Sequence, residues 1–102
     1  MVNKVEIENL IKKRLELHQD DPRISLVWKE LTKVLSVSEE DTIIYFKTCP
    51  PEQLYWISEV FEDVSENLKS TKFIKCIRKL GEQYKSLNLS LDIEYAEKSL
   101  EK

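Results

Sequence analysis

Acid–base or metal chemistry needs titratable side chains held close together, and this chain offers few such groupings. Glu59, Glu62 and Glu66 recur at spacings of three and four. On a helix they share one face, with Cβ atoms roughly 5–6 Å apart. Paired carboxylates can divide acid and base roles only where the surroundings desolvate one of them. Leu54, Ile57, Phe61, Val64 and Leu68 mark the opposite side as the buried one, so these acids point outward. A di-metal bundle site would also need a Glu-x-x-His partner, which is missing. The one histidine, His18, is read as closing the first helix with Asp20 or Asp21 nearby, and Arg14 one turn earlier projects into the same helix's apolar arc.

Other routes to catalysis lack material. Cys49 and Cys76 form neither a Cys-x-x-Cys pair nor a disulfide framework, and both suit burial as small apolar groups. The lone glycine, Gly81, cannot build a phosphate-cradling loop, and no Gly-x-Ser-x-Gly elbow exists. The expectation is a protein that is not an enzyme and uses no cofactor and no metal.

A chain of 102 residues supports one domain, residues 1–102, with a core that needs no staple. The 41% hydrophobic content agrees with a folded chain, and the net charge of −3 argues against general nucleic-acid binding. Charge is unevenly placed. Five acids and no bases lie between Pro50 and Leu68; Lys69, Lys72, Lys75, Arg78 and Lys79 then follow with no acid before Glu82. That basic strip could meet RNA, but only Phe73 interleaves it with an aromatic ring. The first residues lack the apolar run of a signal peptide, and no stretch approaches the ~20 apolar residues that span a bilayer. A cytoplasmic protein without membrane contact is expected.

The punctuation is that of an all-α fold of five to six helices. Ile7, Leu10, Ile11 and Leu15 define a helix over residues 4–18. Asp21 caps and Pro22 opens the next, which carries Ile24, Val27, Trp28, Leu31, Val34 and Leu35. Ser38-Glu39-Glu40-Asp41 is close to a capping box for a third helix over 39–47, although Thr42-Ile43-Ile44-Tyr45-Phe46 is rich in β-formers and leaves a short strand as the other reading. Pro51 opens a fourth, Ser70 or Thr71 caps a fifth, and Ser90 starts a sixth. Short links fold these into antiparallel hairpins, giving a HEAT-like α-α superhelix; an irregular helical bundle is the alternative.

The fourth helix then presents Glu52, Tyr55, Glu59, Glu62 and Glu66 outward, with Asp63 at the edge. The acids could pair with Lys72, Lys75 or Lys79 of the next helix, contacts worth about 0–1 kcal/mol each. Yet Glu62, Asp63 and Glu66 crowd the C-terminal half of a continuous helix, where the dipole disfavours them. Together with an exposed tyrosine, this suggests a surface for a basic partner. A homodimer burying Tyr55 would also use it.

The segment Glu52-Gln53-Leu54-Tyr55-Trp56-Ile57-Ser58-Glu59-Val60-Phe61-Glu62-Asp63, with Lys72–Ile77 and Asp92–Ala96, resembles small helical immunity proteins of bacterial contact-dependent inhibition and related polymorphic toxin systems. The resemblance covers the C-terminal half and rests on texture rather than on an invariant motif. It implies stoichiometric neutralisation of a cognate toxin domain, for instance a nuclease, whose basic surface would meet the acidic face. A non-toxin adaptor or regulatory module is the other reading.

Overall fold

Short polar side chains set where the helices begin. Asn3 accepts a hydrogen bond from the Glu6 amide and opens α1 (Lys4–Glu16). Ser38 accepts from the Asp41 amide ahead of α3 (Glu39–Thr48), and Ser70 from the Phe73 amide ahead of α6 (Thr71–Gln83). Each satisfies one of the amides that a helix start leaves unpaired. In α2 (Ile24–Leu35) the start differs from expectation. Asp21 accepts from the Arg23 amide at 2.9 Å, but this and Pro22 form a separate turn before the helix. Ser90 is the first residue of α7 (Ser90–Lys98) rather than its cap, and its side chain caps nothing.

The computed structural model describes residues 2–101, and every regular element among them is helical. Residues 42–46 are helix, although their types favour a strand. Tyr45 and Phe46 are buried against the core, and Thr42 donates to the Leu35 carbonyl at 2.7 Å. Tertiary burial outweighs a local preference of at most ~1 kcal/mol. The fourth helix is not continuous. It runs as α4 (Pro51–Ile57), a 3-10 turn (Ser58–Val60) and α5 (Phe61–Leu68). Counting that interrupted path once, the described residues form six helices.

α1 and α2 pack as a hairpin, as do α6 and α7. The third expected hairpin does not close: α3 packs on α6 instead of lying back along α4. Cys49 and Pro50 are both extended (ψ 128° and 146°), the conformation that a following proline imposes, and they lead the chain away from α3. The closest helix association is α5 with α7. Ser65 donates to the Ala96 carbonyl at 2.6 Å and Lys69 to the Ser99 carbonyl at 2.9 Å. Both partners' numbers rise together, so these helices run parallel. The result is an irregular all-α bundle rather than a regular stack of helical pairs.

Phe46, Phe61 and Phe73 meet at the centre, with ring centroids 5.7–6.3 Å apart and no exposed surface. They bring α3, α5 and α6 into one hydrophobic core with Leu31, Leu35, Leu54, Ile57 and Ile77. Periodicity overstates burial at some positions. Leu15 is 54% exposed, and Trp28, expected inside, is 36% exposed. Gly81 lets α7 approach α6 closely; a Cβ there would lie 2.7 Å from Ile93 Cδ1.

Candidate protein-binding face

The 3-10 turn decides how the acidic row is displayed. Its three residues advance ~120° each rather than ~100°, so α5 is rotated by roughly 60° relative to a continuous helix. Glu52 and Tyr55 remain exposed on α4, Tyr55 by 48%. Asp63 and Glu66 turn toward α2 instead. They form one wall of a groove of about 940 Å³ whose other wall carries Trp28, Lys29 and Lys33. Glu62 is half-buried and engages neighbouring groups.

Glu59 occupies the turn itself and reaches across the surface to α1 and α2. Its carboxylate receives Arg14 Nε and Nη2, both at 2.9 Å, and Trp28 Nε1 at 3.1 Å. The Arg14 guanidinium also lies over the Trp56 ring, 5.1 Å from its centroid. Arg14 is held in its charged form chiefly by the hydrogen bonds it donates to Glu59. Glu59 therefore ties α1 and α2 to the turn, and pairs with Arg14 rather than with the lysines of α6. The fork geometry matches a carboxylate bidentately and is stronger than an open surface pair. Nothing in the sequence spacing signals this, because Arg14 and Glu59 are 45 residues apart.

The break also changes the dipole argument. Glu62 and Asp63 lie in the first turn of a new helix, α5, where negative charge is favoured. Their types are explained by the fold, and only Glu66 keeps an unfavourable place near the helix end.

The structure adds a residue that sequence reading passed over. Asp92, in the first turn of α7, is half-buried and lies beside Ser58 of the turn. Burial raises its pKa, and the nearby Glu59 carboxylate pushes it further in the same direction. The Ser58 hydroxyl donates to the Tyr55 carbonyl at 2.5 Å, which ties the turn back to α4. Leu91 and Tyr95 flank Asp92 on α7 and are 56% and 45% exposed. The turn thus lies between α4, which exposes Tyr55, and the start of α7, where Leu91 and Tyr95 neighbour a carboxylate partly withdrawn from water. The exposure of Tyr55 was legible in the sequence; the partial burial of Asp92 was not.

Comparison with protein families, curated proteins and solved structures finds no match to this chain.

The remaining candidates are structural. His18 is exposed, and its Nδ1 accepts from the Asp20 amide at 3.3 Å. Cys49 is buried beside Tyr45, which donates to Gln53 Oε1 at 3.0 Å, and burial pushes its thiol up to about 11. A thiol so protonated is a poor nucleophile near neutrality. Among the described residues no group of three or more His, Cys, Asp or Glu is placed to hold a metal ion, and no helix is long and apolar enough to cross a membrane.

Proposed function

We propose that this chain is a binding protein that neutralises a cognate bacterial toxin domain by stoichiometric contact, acting in the cytoplasm. The observation that carries the reading is the composite face around Asp92. A half-buried carboxylate with no cation pairing it among the described residues, with exposed Leu91 and Tyr95 on the same helix and exposed Tyr55 on the element before the turn, suits a basic side chain of a partner. Tyrosines supply contact area at low entropic cost, and an already desolvated carboxylate strengthens a charge-assisted hydrogen bond. Glu52 at the edge and Glu66 in the neighbouring groove add long-range attraction for a basic surface such as that of a nuclease. Glu59 supports the face by fixing the turn rather than by contact.

The test is affinity capture from the native host with wild-type and variant bait, followed by titration of the purified partner. Tyr55→Ala with Glu66→Lys is expected to weaken binding by on the order of tenfold or more, about 1.4 kcal/mol per decade. Both side chains are exposed, so the melting temperature should stay within a few degrees. Capture of a modular secreted toxin by the wild type, reduced in the variant, is the expected result. A partner that is not a toxin would move the chain to the adaptor class, and equal binding by the variant would discard the face.

Asp92 gives an independent check through pH. Its folded-state pKa is raised, so the folded chain binds the extra proton more tightly than the unfolded chain. Stability associated with the protonated form is full below the ordinary carboxylate range and is lost as pH rises through the raised value. Asp92→Asn is therefore expected to be more stable than wild type near neutral pH, with the difference shrinking in acid, while binding its partner less tightly. Thermal melts across pH read the first effect; an unchanged or lowered neutral-pH melting temperature would contradict the burial argument.

A further inference from the structure

A second surface lies on another part of the molecule, between α3 and α6. It is a groove of about 760 Å³ with Lys47 on one wall and Lys72, Lys75 and Lys79 along the other. Its floor is aliphatic, formed by Ile43, Cys76 and Leu80. Burial raises the Cys76 thiol while Lys47 and Lys79 pull it back, which places both ammonium groups near that floor.

What sets the charges here apart is that four lysines gather around one groove. Arg14, Arg23, Arg78 and Lys98 each have a carboxylate partner within the chain. Among the described residues, Lys47, Lys72, Lys75 and Lys79 make no ion pair, and the one acid on the groove's lining is Glu82 at its end. Lys72 also sits in the first turn of α6, where the dipole repels a cation, and Lys75 and Lys79 are like charges one turn apart. The fold alone gains nothing from this arrangement.

We propose that the α3–α6 groove docks an acidic amphipathic helix of a protein partner. Such a helix would set leucine-type side chains on Ile43, Cys76 and Leu80 and direct carboxylates at the lysines on both walls. Helix-in-groove recognition takes this form, with apolar anchors at spacings of three, four and seven. The lysines at 72, 75 and 79 share that period and span ~10 Å of helix, about the width of a partner helix with side chains. The lining contains no aromatic ring on which unpaired bases would stack, which separates it from a single-stranded RNA surface. Its concavity suits a convex helix better than a membrane surface. This surface is distinct from the face around Asp92, and the two can fail independently.

The probe is a fluorescein-labelled Glu/Leu amphipathic helical peptide, with a scrambled peptide of equal composition, a poly-uridine oligonucleotide and phosphatidylserine vesicles alongside. The full-length protein is expected to bind the helical peptide in preference to all three, and to bind it less tightly as salt increases. Lys75→Glu with Lys79→Glu should weaken that binding by on the order of tenfold. Bound peptide should also slow alkylation of Cys76, read by mass spectrometry against the buried Cys49 in the same chain. Equal binding of the scrambled peptide, preference for RNA or vesicles, or unchanged Cys76 alkylation at saturation would each overturn the proposal.

Discussion

Replacing Phe46 with alanine is expected to destabilise the protein by about 3–5 kcal/mol, the largest effect of any single change considered. Phe46 has no exposed surface, and its ring lies 5.8 Å from Phe61 and 5.7 Å from Phe73. Removing it deletes apolar burial and leaves a void bounded by three helices that cannot all move inward at once. Aromatic edge contacts worth about 0.5–1.5 kcal/mol each would be lost with it. Against a typical stability of ~5–15 kcal/mol, such a loss brings the folded state close to collapse. Chemical denaturation should show the midpoint falling with little change in slope. Phe46→Leu, which keeps most of the volume, should recover more than half of the loss. A Phe46→Ala protein within ~1 kcal/mol of wild type would mean that α3 is not part of the core.

Reversing the charge at Glu59 comes next, at about 2–3 kcal/mol for Glu59→Lys. The Arg14 side chain is only 13% exposed and that of Glu59 26%. Lysine at position 59 would set two cations against each other and remove the acceptor for Trp28 Nε1. For a domain of this size, the melting temperature should fall by roughly 10–20 °C. Glu59→Gln keeps an acceptor for Trp28 and removes only the charge, so it should cost about half as much. A double-mutant cycle with Arg14→Ala should give a coupling energy above about 1 kcal/mol. Coupling near zero would make the pair an ordinary surface contact. A face read from periodicity alone would present Glu59 as an open contact residue whose reversal leaves stability untouched. The bidentate pair with Arg14 excludes that expectation.

How much of this was legible depends on the range of the interaction. Cap residues and apolar spacing are local signals, and they set the helix starts correctly at Ser38 and Ser70. Residues 42–46 were ambiguous because β-branched and aromatic side chains are compatible with either element until burial chooses. The 3-10 turn at Ser58–Val60 had no proline or glycine to announce it. That small local change rotates Asp63 and Glu66 toward α2, sets Glu59 against Arg14 and Trp28, and gives Glu62 and Asp63 the favourable end of a dipole.

By itself the sequence determined the all-α class, most helix boundaries, the exposure of Tyr55, and the separation of acidic and basic stretches. These follow from backbone periodicity and from charge, which act within a few residues. Tertiary structure alone decided that Arg14 and Trp28 converge on Glu59, that Asp92 sits half-buried beside Tyr55's helix, and that Lys47 joins the lysines of α6 around one groove. Those pairings join positions far apart in the chain, and their geometry is set by how the helices pack.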